Sequence, residues 1–135
     1  MLKPPEKYWQ LLELALADFD VISQDPNYDI NMMVYHDGAT KRKCVVCLAG
    51  SVMARTLQAD RTKMYSTYNF RSWSKALNNI SNIALGSRPD FFPKEHEEAF
   101  WKFQEPLQDK PYDADPAHWR AHMSRVVEWL KERDL

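Results

Sequence analysis

The sequence predicts a mainly α fold, a single-domain irregular bundle of about five helices over residues 1–135, arranged around a buried central helix at 44–57. Three observations predict it. Apolar residues recur at helical spacing in segments along the whole chain. Only 3 Gly leave little material for β-turns. The run from Cys44 to Leu57 has no polar face for nearly three turns, the pattern of an enclosed helix.

Element by element, "PPEKYWQLLELALADFDVIS" opens with prolines suited to a first helical turn and sets Tyr8, Leu11, Leu12, Ala15, Leu16 and Phe19 on one stripe. Asp25-Pro26-Asn27 supplies turn chemistry after it. "INMMVYHDG" allows one short extended segment near 30–36, closed by Asp37-Gly38. The central run follows, in which Cys47 with Ser51 and Gly50 with Ala54 place small residues four apart and permit close helix approach. In "NFRSWSKALNNISNIALGS", Asn69 is a candidate cap, Phe70, Trp73, Leu77, Ile80 and Ala84 share a face, and Gly86 is the stop. A shorter helix starts near Pro93 with Glu95, Glu97 and Glu98 in its first turns, where the helix dipole favours acid. The last segment has Asp115 as cap, Pro116 at the first helical position, and Trp119, Met123, Val126 and Leu130 along one stripe. Trp101 and Trp129 fall off the main stripes and could mark a self-association surface.

A chain of 135 residues with 44% hydrophobic content can bury roughly 70% of its unfolded surface and needs neither disulfides nor metal to fold. Two cysteines three residues apart supply no disulfide framework, which points to a reducing compartment. The N-terminus lacks the charge-then-apolar pattern of a secretory signal, and the longest nearly apolar run is too short for a bilayer. The expectation is a soluble, cytoplasmic protein without membrane contact.

Net charge is −1, but the charges fall in blocks. Residues 38–94 hold ten Lys and Arg against two acids, a balance of +8, between segments at −5 and −4. A basic face would attract phosphate or an acidic protein; alternatively the acidic ends pair with the basic middle inside the fold.

Cys44-Val45-Val46-Cys47 behind Lys41, Arg42 and Lys43 is a candidate thiol site, because nearby cations lower a thiol pKa. Redox chemistry of the thioredoxin type also requires a strand leading into the helix, and the pattern predicts helix throughout, so buried packing is the competing reading. His118 and His122 stand four apart on the last helix, and with Cys44 and Cys47 would complete a four-ligand zinc set; otherwise the two histidines are solvated or capping groups. "HEEAF" lacks the second His of a zinc protease motif, Phe100 standing in its place. No nucleophile elbow or glycine-rich phosphate loop occurs. The reading is therefore non-enzymatic, with no cofactor and no assigned metal.

The central basic and aromatic run supplies the candidate partner-binding residues: Lys41, Arg42, Lys43, Arg55, Arg61, Lys63, Arg71 and Lys75, with Tyr65 and Tyr68 as anchors. Cations can neutralise phosphates while a tyrosine stacks on a base, so direct nucleic-acid binding is the alternative to a protein partner.

The pattern "CVVCLAGSVMA" followed by "FRSWSKALNNI" resembles small phage and prophage proteins that carry a C-x-x-C-L-A-G-[AS]-V-M-A core, over roughly Lys43 to Gly86. The resemblance implies a mobile-element protein without an assigned reaction. By analogy with accessory phage proteins, it also implies a binding protein that inhibits a host or defence macromolecule.

Overall fold

The computed structural model describes residues 4–32, 36–37, 44–57, 70–108, 112 and 114–135. The architecture is mainly helical. Among these residues five helices, α1 (Tyr8–Ser23), α2 (Leu48–Leu57), α3 (Phe70–Ala84), α4 (Lys94–Gln108) and α5 (Pro116–Glu132), enclose one core. Three short strands accompany them, β1 (Tyr28–Ile30), β2 (His36–Asp37) and β3 (Cys44–Val46).

The strands correct the expected central helix. Residues 44–46 are extended, and the helix begins at Leu48. In the sheet order β1-β3-β2, β3 lies parallel to β1, with Tyr28 opposite Cys44 and Ile30 opposite Val46, and antiparallel to β2, with His36 opposite Val46. A continuous apolar run suits a buried strand as well as a buried helix, and the β-branched pair Val45-Val46 tips the balance once two neighbours supply hydrogen bonds. Asn31 N–H extends that pairing by donating to Val46 O at 2.9 Å. Of the segment expected to be extended near 30–36, Ile30 ends β1 and His36 begins β2, and residues 33–35 lie outside the described residues.

Burial follows the expected stripes. Leu11, Leu12, Ala15, Leu16 and Phe19 of α1 are buried, as are Trp73, Leu77, Ile80 and Ala84 of α3 and Trp119, Met123, Val126 and Leu130 of α5. Helix α2 packs chiefly against α1, where small Ala49, Ser51 and Ala54 are enclosed and admit a close approach. Gly86, at φ 82, ends α3 in the left-handed conformation open to glycine, and Ser87 N–H returns to Asn82 O at 2.8 Å. Asp115 caps α5 by accepting from His118 N–H at 3.0 Å, ahead of Pro116 in the first turn. The cap expected at Asn69 lies outside the described residues.

Polar links fix the helices in place. Arg120 Nε and Nη2 reach Asp20 Oδ1 and Oδ2 at 2.9 and 2.8 Å, a two-point clamp between α5 and α1 that raises the guanidinium pKa further. Trp119 Nε1–H donates to Ala84 O at 2.9 Å, and buried Gln104 donates to Ile83 O at 3.3 Å. The Ala84 carbonyl at the end of α3 thus finds a donor on α5, and the Ile83 carbonyl, which also accepts from Gly86 N–H at 3.0 Å, a second donor on α4. No helix among the described residues is long and apolar enough to cross a membrane.

Trp129 departs from the sequence expectation. It is buried, against Phe100 at 5.2 Å and Phe103 at 5.9 Å, with the Arg133 guanidinium 3.8 Å from its ring centre. It stands three residues after Val126 and so belongs to the same core stripe. Trp101 is exposed.

Candidate functional site

The basic residues singled out from the sequence are only partly within the described structure. Lys41, Arg42, Lys43, Arg61, Lys63, Tyr65 and Tyr68 lie outside it, and of Arg71 only the backbone, in the first turn of α3, is described. Arg55, in the last turn of α2, is exposed and sits 3.6 Å from Asp18 of α1. Burial raises the Asp18 pKa, while the neighbouring Arg55 opposes that rise. Here an acidic residue of the N-terminal block does pair with the basic middle. Lys75, on the exposed face of α3, places its ammonium 4.5 Å from the centre of the Phe91 ring. Arg88 pairs with Glu97 at 2.8 Å. The middle block is therefore partly compensated by the flanking acids and partly presented outward.

The C-x-x-C motif straddles the junction from β3 to α2, and so does not sit within a helix: Cys44 begins the strand, and Cys47 immediately precedes α2. This supplies the strand-to-helix context that the sequence reading found missing. The chemistry at Cys47 nonetheless opposes reactivity. Its side chain is 4% exposed, and burial, the largest influence, pushes its thiol pKa up against the opposing hydrogen bonds. Gly50 N–H donates to Sγ at 3.4 Å, so the sulfur serves the free amides of the first helical turn. A protonated, enclosed thiol is a poor nucleophile. In a Cys44→Ser variant, Cys47 should react with a thiol reagent slowly when native and rapidly in denaturant; equal rates would show the junction to be open.

The histidines are not a solvated pair. His122 is 2% exposed, its ring stacked on Phe103 at 5.4 Å, with Nε2 2.6 Å from Gln104 Oε1. The carboxamide oxygen is an acceptor, so Nε2 carries the proton and donates. Burial, followed by Arg125 and His118, lowers the His122 pKa to about 4. Its position three residues after Trp119 and four before Val126 was the available signal of a core residue. His118 Nε2 is enclosed without a hydrogen-bond partner. The side chain of Cys44, the fourth member of the expected zinc set, lies outside the described residues, and no cluster of three or more His, Cys, Asp or Glu occurs among the described ones.

One feature of the surface escaped the sequence reading. Phe91 is 83% exposed at φ 58, whereas the adjacent Phe92 is buried against Phe100 at 4.8 Å and Tyr8 at 5.6 Å. Nothing in "DFFP" distinguishes the two rings.

No family model, curated protein or solved structure matches this chain.

Proposed function

We propose that the chain is a non-enzymatic binding protein that engages an acidic protein partner through its basic central segment, as an inhibitor of phage or mobile-element type acting on a host or defence protein. The observation that carries the reading is the +8 balance of residues 38–94, together with the outward placement of Arg55 and Lys75 within that segment. The phage-type assignment rests on the "CVVCLAGSVMA" resemblance.

Direct nucleic-acid binding is the second reading, favoured by the tyrosines and cations of residues 61–71. A salt series separates the two. Titration with a single-stranded oligonucleotide should give only weak association, unchanged by Arg55→Glu with Lys75→Glu. Tight binding whose log K falls linearly with log salt, with a slope flattened by the double reversal, would transfer the surface to phosphate.

A further inference from the structure

We propose that the chain pairs with a second copy of itself through the outer face of α1, each copy seating its Val21 in a groove beside the other's Leu14. The core takes Leu11, Leu12, Ala15, Leu16, Phe19 and Ile22 of this helix, which leaves Gln10, Leu14, Ala17 and Val21 on the opposite side at steps of four, three and four residues. Leu14 is partly buried, Ala17 is exposed and Val21 is 47% exposed. An open groove of about 500 Å³ runs along the N-terminal half of the same face, walled by Pro5, Trp9, Gln10, Glu13, Leu14 and Ala17. One helix face thus carries an apolar hollow and, about two turns further on, an apolar projection.

The spacing selects a second copy as the occupant. Leu14 and Val21 lie three and four residues either side of Ala17, so an identical helix laid antiparallel across Ala17 sets each Val21 against the other's Leu14. That is the isologous contact of a two-fold dimer, in which residue i meets j and j meets i. Ala17 presents only a methyl group at the crossing, so the two helices approach closely there. Charge follows the same axis. All three acids of α1 are paired: Glu13 with Lys131 at 3.7 Å and Asp20 with Arg120 at 2.8 Å along the α5 edge, and Asp18 with Arg55 at 3.6 Å along the α2 edge. Glu13 and Asp20 stand four and three residues from Ala17, so the antiparallel copy brings Lys131 of one chain toward Asp20 of the other. Asp18 and Arg55, beside the crossing, meet the same pair reversed. Opposite charges therefore face each other along both edges. An apolar stripe between compensated ion pairs has no net charge to attract a nucleic acid. The inference does not rest on the reading of the basic segment.

The test is light scattering of the full chain over a concentration series, where the mass should rise from that of one chain to that of two. Ala17→Arg, at an exposed position, should unfold at the parent's temperature yet stay monomeric, because the two-fold axis sets the new cations against each other. Val21→Ser should weaken association about tenfold or more, whereas Trp101→Ser, on the exposed side of α4, should pair as the parent does. Exchanging the charges of one pair, Glu13→Lys with Lys131→Glu, keeps the contact within each chain but sets like charges together across the axis, so this variant should dimerise more weakly too. A chain that stays monomeric up to its solubility limit, or a dimer indifferent to both Ala17→Arg and Val21→Ser, would overturn the proposal. A dimer that the charge exchange leaves unchanged would overturn the antiparallel placement.

Discussion

Replacing Trp119 by alanine should cost about 3–5 kcal/mol of folding stability, the range for removing a large buried aromatic side chain. Trp119 is 1% exposed and meets Phe19, Tyr112 and the end of α3 at once. Its ring lies 5.2 Å from Phe19 and 5.3 Å from Tyr112, and its indole N–H satisfies Ala84 O. Alanine opens a cavity and leaves that carbonyl without its donor. Trp119→Phe retains most of the packing but not the hydrogen bond, and should cost roughly 1–3 kcal/mol. Denaturant unfolding of the three proteins measures both values. A loss below about 1 kcal/mol for Trp119→Ala would mean that this junction of α1, α3 and α5 is not the packed centre described.

Acidification should weaken the fold through His122. An unfolded histidine titrates near 6.5, whereas burial holds His122 at about 4. The folded pKa is the lower one, so the unfolded chain takes up the proton first. Stability from this group is complete above pH 6.5 and is progressively lost as pH falls toward 4. The full difference corresponds to about 3 kcal/mol. His122→Gln retains a side-chain donor for Gln104 Oε1 while removing the titration. Comparing unfolding midpoints of parent and variant between pH 7 and 4.5 cancels the carboxylates common to both. The parent should lose more stability than the variant across that window, and parallel curves would show that His122 is not held neutral.

The helical architecture was legible where one physical signal dominated. In α1, α3 and α5 the apolar stripe alone specifies the buried face, and Asp115-Pro116 and Gly86 mark their ends by cap and left-handed turn. At Cys44 to Val46 two signals conflict, because an all-apolar run satisfies a strand and a helix equally. The outcome depends on pairing with Tyr28–Ile30 and His36–Asp37, which no local pattern contains. His122 was readable from its stripe position, but its polarity drew the reading toward solvent. Its partner Gln104 comes from another helix, eighteen residues away. The left-handed turn at Phe91 had no sequence signal, since it is imposed by Asn78, Asn79 and Tyr8 from α3 and α1. Local periodicity thus reveals faces, while sites made by side chains from separate elements appear only with the fold.

Binding of a protein through the basic segment is put to the test by tagged capture from lysate of the cells in which the chain acts. Samples with and without nuclease treatment are eluted by stepwise salt, beside the Arg55→Glu, Lys75→Glu double variant. The expected outcome is a defined protein retained after nuclease and lost from the double variant. Recovery of nucleic acid alone, released at moderate salt and abolished by nuclease, would contradict it.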